Sequence, residues 1–130
     1  MTEDDSYDWK PISEADLARI VDDETPRYNP VAERLWDAIR IPPRKWQLHP
    51  WGDLGGGFWV VAIYGRNVVW YNDIEEGFNT SPWSTPGVID AYFCDQAHLR
   101  RVIASLCDSI LDGSDMPPKL GPPRPGLLGG

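Results

Sequence analysis

Cys94 and His98 stand four positions apart, and a cysteine just before a helix N-terminus can have its thiolate favoured by the helix dipole, the minimum for a thiol nucleophile beside an imidazole. No family-type signature surrounds Cys94, and the other histidine, His49, sits beside Pro50 in an unrelated segment. A small buried thiol next to an exposed helical histidine is the plainer reading. Cys94, His98 and Cys107 cannot converge on zinc from one helix, because residues four apart share a face and Cys107 lies more than two turns further on. Asp73, Glu75, Gly77 and Asn79 alternate like a calcium loop, but Phe78 stands where an EF-hand needs Gly and Ser84 where it needs Glu. Glu75 and Glu76 are the residue type that serves as acid and base in glycosidases, yet sequence neighbours rarely oppose each other across a substrate. Gly55-Gly56-Gly57 lacks both the Lys-Ser/Thr and the helix that follow a phosphate-binding loop. No metal or cofactor is therefore expected.

The aromatic residues offer more. Seven tryptophans in 130 residues exceed the usual content of a core of this size, and Trp and Tyr dominate binding hot spots. A segment carrying Tyr71, Asp73, Glu75, Glu76, Phe78, Asn79 and Trp83 combines apolar anchors with carboxylates, which suits a basic protein surface or a cationic ligand. The competing reading is that Phe78 and Trp83 fold back to cover the sheet edge. Asn79-Thr80-Ser81 matches a glycosylation triplet, which is idle without a secretory signal.

These side chains need elements to hold them. Ser13 and Asp16 have the spacing of a helix cap, and Leu17, Ile20 and Val21 recur at helical intervals, so a short helix is predicted to end near Asp23. Asn29 and Pro30 open a second helix with Val31, Leu35, Trp36 and Ile39 as its buried stripe, stopped by Pro42 and Pro43. Lys45 to Leu48 predicts a short edge strand and Gly52 to Gly57 a loop. Phe58 to Tyr64, a turn at Gly65-Arg66-Asn67, and Val68 to Asn72 predict a hairpin. Simple alternation puts Phe58, Val60, Ala62 and Tyr64 on one face and Trp59, Val61 and Ile63 on the other, so this strand is covered on both sides or meets another protein. Residues 73 to 87 read as an irregular segment and Val88 to Phe93 as a further strand. Asp95 is then the expected cap of a helix with Leu99, Val102, Ile103, Leu106 and Ile110 on one face and Gly113 at its end.

The expected fold class is α+β, a small mainly antiparallel sheet packed against N-terminal helices and a C-terminal helix. The expected organisation is an acidic mobile arm over residues 1 to 10, with Trp9 as an anchor, one domain over 11 to 113, and a flexible Pro/Gly-rich tail over 114 to 130. Pro122 and Pro125 give a Pro-x-x-Pro spacing, read as linker rather than ligand. The net charge is −8, and residues 1 to 24 carry nine acids against Lys10 and Arg19, a balance of −7. Such a field repels nucleic acid and anionic lipid and draws a basic protein partner, or merely keeps a Trp-rich domain in solution. The longest apolar run, Phe58 to Tyr64, is too short to span a membrane, and the acidic start is unlike a signal peptide, so a cytoplasmic location is expected. Cys94 and Cys107, thirteen positions apart, would lie roughly 20 Å apart on one helix and stay reduced.

The order of elements, two short helices, a proline break, a Gly-rich entry into an aromatic hairpin, an acidic segment and a closing helix, resembles SMI1/KNR4-type (SUKH) domains over roughly residues 13 to 112. Val68-Val69-Trp70-Tyr71-Asn72-Asp73-Ile74-Glu75 is the nearest local echo. The resemblance implies a bacterial immunity protein, a non-catalytic binder that neutralises a toxin domain. The segment from Asn79 to Gly87 and the Pro/Gly tail depart from that layout. Two other functions fit the residues: a small hydrolase or transferase using Cys94 or the Asp73, Glu75 and Glu76 carboxylates, and a homo-oligomeric structural protein that buries the second apolar strand face against its own copy.

Overall fold

In this computed structural model, residues 10–27 and 29–112 are described. Residues 1–9 of the expected arm, Trp9 among them, and residues 113–130, with Gly113 and the Pro/Gly tail, lie outside them. Ser13 is extended (φ −74°, ψ 157°), and its Oγ accepts the backbone N–H of Asp16, which starts α1 (Glu14–Glu24) with Leu17 and Val21 buried one turn apart. Asn29 Oδ1 accepts the Ala32 N–H at 3.2 Å and starts α2 (Pro30–Ile39), where Pro30 sits in the first turn and sacrifices no helical hydrogen bond. The buried face of α2 is Ala32, Trp36 and Ile39, with Leu35 at its margin. Val31, expected in that stripe, is 48% exposed, because it stands one position, about 100° of helix, ahead of Ala32.

The chain turns directly from α2 into β1 (Arg40–Trp46), and with β2 (Phe58–Tyr64), β3 (Asn67–Asn72) and β4 (Gly77–Pro82) it forms a four-stranded antiparallel sheet in sequential order. β1 starts earlier than the expected Lys45. Pro42 and Pro43 fall where the register slips between Arg40 and Arg44, on an edge strand, the place where missing N–H donors cost least. β2 and β3 are joined at Gly65, whose φ of +57° suits a tight hairpin. A bulge between Val60 and Ala62 corrects the alternation expected for β2. One extra residue reverses the parity, so Trp59, Val61 and Ala62 face the helices while Phe58, Val60 and Ile63 face the opposite layer.

β4 is the larger departure. Gly77 to Pro82, read as irregular, pairs along the whole of β3 from Asn72–Gly77 to Asn67–Pro82. Val88 to Phe93, read as a strand, instead runs back over the second sheet face, with a parallel bridge between Gln47 and Val88 and the Asp90 N–H donating to the Pro82 carbonyl of β4. The polar residues of β4 hold this covering segment. Asn79 donates through Nδ2 to the Asp95 carbonyl and accepts the Asp95 N–H on Oδ1, at 3.1 and 3.0 Å, while Ser81 Oγ accepts the Ala91 N–H. Asp95 is therefore not a helix cap, and α3 (Leu99–Asp112) begins four residues later. A Cβ on Gly77 would meet the Asp95 carbonyl oxygen at 2.3 Å, so only glycine allows the segment this close.

Two cores result. Between the helices and the sheet lie Leu17, Trp36, Val61, Val69, Phe78, Leu99 and Ile103 with their neighbours; beyond the sheet lie Trp46, Leu48, Phe58, Val60, Val68, Trp70, Ile89 and Tyr92. The second apolar face of β2 is thus covered by the chain itself, which removes the structural reason for burying it against another copy. Ile110 is 42% exposed because the apolar stripe of α3 outruns the core at its last turn. Among the described residues no helix is long and apolar enough to cross a membrane.

Asn79→Ala should cost about 2–3 kcal/mol in urea denaturation, since it strips both backbone groups of Asp95 of their partner, whereas Val31→Ala should stay within about 0.5 kcal/mol. Equal effects would mean that Asn79 does not hold the covering segment.

Candidate partner surface at the β3–β4 turn

Asn72 ends β3 with no solvent exposure, and its side chain organises the turn that follows. Its Oδ1 accepts the N–H groups of Ile74 and Glu75 at 3.0 and 3.2 Å, its Nδ2 donates to the Phe93 carbonyl at 3.0 Å, and its own carbonyl accepts the Glu76 N–H at 2.7 Å. Glu76 closes the turn in the left-handed region at φ +62°. Asp73 Oδ2 accepts the Ile12 N–H at 2.7 Å, and Trp59 Nε1 donates to the Ile12 carbonyl at 3.1 Å, so the turn also secures the entry segment.

The seven residues expected to form one surface divide into three groups. Asp73 and Glu75 are half-buried and Glu76 is exposed at the turn. Tyr71, Phe78 and Asn79 are interior, with 6%, 1% and 1% exposure, and the Tyr71 and Phe78 rings pack 4.9 Å apart. Burial also closes Asn79 to glycosylation. Trp83 lies past the far end of β4, a strand length of roughly 20 Å from the turn. There its Nε1 donates to the Gly65 carbonyl, its ring meets Trp46 edge-on at 5.9 Å, and the Arg66 guanidinium lies over it. Phe78 and Trp83 fold back onto the sheet, so they are not outward anchors. The reason is the strand: once residues 77–82 pair with β3, their side chains follow the sheet and not a loop.

The thiol reading loses its geometry. Cys94 precedes α3 by five residues, away from the helix N-terminus. Burial first, then the charges of Glu75 and Asp95, push its thiol pKa up and disfavour the thiolate. His98 Nδ1 lies 2.9 Å from Glu24 Oε2, engaged with α1. Cys94 is half-buried and Cys107 buried. No group of three His, Cys, Asp or Glu side chains placed to hold a metal occurs among the described residues.

Glu24 is the participant that local reading missed. Its Oε1 accepts the Leu99 N–H at 2.8 Å, capping α3 from 75 positions away. Only a contact between distant segments reveals it. Between Glu24 and the acidic turn runs a cleft of about 190 Å³ lined by Ile20, Glu24, Tyr71, Glu76, Phe78 and His98. It adjoins a shallower one, lined by Lys10, Asp16 and Asp73 together with the same Ile20, Tyr71 and Glu76. Glu75 lines neither, so the two adjacent glutamates do not face each other across a shared cleft. Tyr71 is the common floor. Burial, then the carboxylates of Glu76, Glu24 and Asp73, push its phenol pKa up to about 12. The fold and site define an α+β domain with an acidic turn hydrogen-bonded to Asn72. No family model, no curated protein and no solved structure matches the chain.

The Tyr71 shift carries a sign. The folded phenol holds its proton up to about pH 12 while an unfolded one releases it near 10, so the native state binds more protons in that window and stability falls across it. Tyr71→Phe should make stability fall less steeply between pH 10 and 12 in urea titrations. A slope as steep as the wild type's would show that Tyr71 ionises normally.

Proposed function

We propose that the domain is a non-catalytic protein-binding module of the immunity or antitoxin type, which occludes a partner with a basic surface. The observation that carries this reading is the turn at residues 73–76: a buried asparagine fixes its backbone, and Glu75 and Glu76 have no cation paired to them among the described residues. A fixed acidic turn loses little conformational entropy on binding and steers a basic partner toward itself. The acidic balance of residues 1 to 24 adds to the same field. The resemblance of the element order to that of SUKH domains supports the immunity class. Tyr71, Phe78 and Asn79 act behind this surface as its support, while Asp73, Glu75 and Glu76 supply the contact. The catalytic alternative is weakened by the raised Cys94 thiol pKa and by the engagement of His98 with Glu24.

A native pull-down from the source cell with the intact chain as bait, and a Glu75→Lys/Glu76→Lys variant as control, tests the reading. The expected result is a basic protein held by the wild type and lost by the variant, with association slowed on the order of tenfold and an unchanged unfolding midpoint. A partner bound equally by both would remove the acidic turn from the mechanism.

A further inference from the structure

The cleft beside the acidic turn has features that the turn alone does not explain. Tyr71 is more than nine-tenths buried and lines both adjoining clefts, and its hydroxyl, hydrogen-bonded to no described residue, is not among the buried polar atoms and so opens into them. An open phenol hydroxyl on an otherwise buried ring is free to accept from a ligand in the cleft. The charges it senses are all negative, from Glu76, Glu24 and Asp73. Glu24 already receives the Leu99 N–H and His98, and Asp73 receives the Ile12 N–H. The Glu76 carboxylate has no ion pair among the described residues.

We propose that this cleft is a site for a single alkylammonium or guanidinium group, the end of one lysine or arginine side chain of a partner, held by Glu76 with the Tyr71 hydroxyl as a neutral acceptor. The chemistry of the lining selects the ligand. An anion would meet carboxylates on two sides, and a neutral apolar group would leave Glu76 desolvated without compensation. At about 190 Å³ the cleft falls below the range of sites for drug-sized molecules and matches one side chain. Ile20 and Phe78 give its walls an apolar surface for the methylene stem, as long basic side chains prefer. Tyr71 remains a protonated phenol at neutral pH, and its lone pairs can accept from a cation. Lys10 lies on the lining of the adjoining cleft.

This inference rests on the partner-binding reading for its biological source, but the cleft can be tested without a partner. Butylammonium and guanidinium chloride would be titrated into the labelled 130-residue chain at constant ionic strength, with butanol as the uncharged match for the alkyl group, and amide shifts followed by NMR. The expected result is a saturable shift of Glu76, Gly77 and Phe78 with the cations and none with butanol. Affinity should drop about tenfold in Glu76→Gln and about threefold in Tyr71→Phe. Glu76 is exposed, so its neutral variant retains the fold and isolates the charge. Equal shifts with butanol, no saturation, or full affinity in Glu76→Gln would overturn the site. Cation binding in a chain whose partner ignores the Glu75→Lys/Glu76→Lys change would uphold the cleft and sink the partner surface.

Discussion

The structure depends on how the backbone of residues 88–97 finds its hydrogen bonds. This stretch must cross from the end of β4 over the second face of the sheet and return to start α3, without joining a strand ladder. Buried backbone groups with no partner cost on the order of 1–3 kcal/mol each, so the crossing needs partners from side chains as well as from neighbouring backbone. Asn72, Asn79 and Ser81 supply the side-chain partners, bonding to Phe93, Asp95 and Ala91, and the Phe78 N–H adds a bond to the Ala97 carbonyl. The same contacts lay Ile89 and Tyr92 over the second core and deliver Leu99 to the Glu24 carboxylate. Asn72 serves both sides at once: its amide fixes the covering segment and its oxygen fixes the acidic turn.

Two cores on one four-stranded sheet require β2 to be apolar on both faces, and the bulge at Val61 distributes its side chains between them. The second core is unusually aromatic. Phe58 and Trp70 pack at 4.8 Å, Trp70 and Tyr92 at 5.9 Å, and Trp51 stacks on Tyr92 at 4.5 Å from the rim. Trp36 and Trp70 bury their indole N–H groups with no acceptor among the described residues. Each such group costs about 1–3 kcal/mol, while burying an aromatic side chain of 150–250 Å² returns about 4–6 kcal/mol at ~25 cal/mol per Å². Burial wins at both positions, which is why large indoles are tolerated here without polar partners.

Features set by neighbouring residues were legible in the sequence. Ser13 and Asn29 cap their helices through residues three positions on, and Gly65 turns a hairpin whose strands are both strongly apolar. Features set across the chain were not. Gly-Phe-Asn-Thr-Ser-Pro has the composition of a loop and becomes β4 because β3 and the covering segment offer partners on both sides, a tertiary effect that outweighs strand propensity. The error at β4 propagated to the site: with the strand unseen, Tyr71, Phe78, Asn79 and Trp83 read as one surface. The carboxylates Asp73, Glu75 and Glu76 were legible as a turn cluster, but the cleft beside them was not, since Glu24 and Ile20 come from α1.

The charge of the molecule is organised around that same helix. The cleft next to Glu76 shares His98 with a larger groove lined by Asp23, Arg27, Arg100 and Arg101. Arg27 is partly neutralised by Asp22, whereas Arg100 and Arg101 stand exposed at the start of α3. A chain of net charge −8 therefore presents two exposed arginines near its acidic turn. Uniform charge attracts a partner without orienting it; adjacent patches of opposite sign penalise every approach but one, because like charges then face each other in the wrong alignments. A basic partner of the proposed kind would meet attraction at the acidic turn and repulsion at the exposed Arg100 and Arg101.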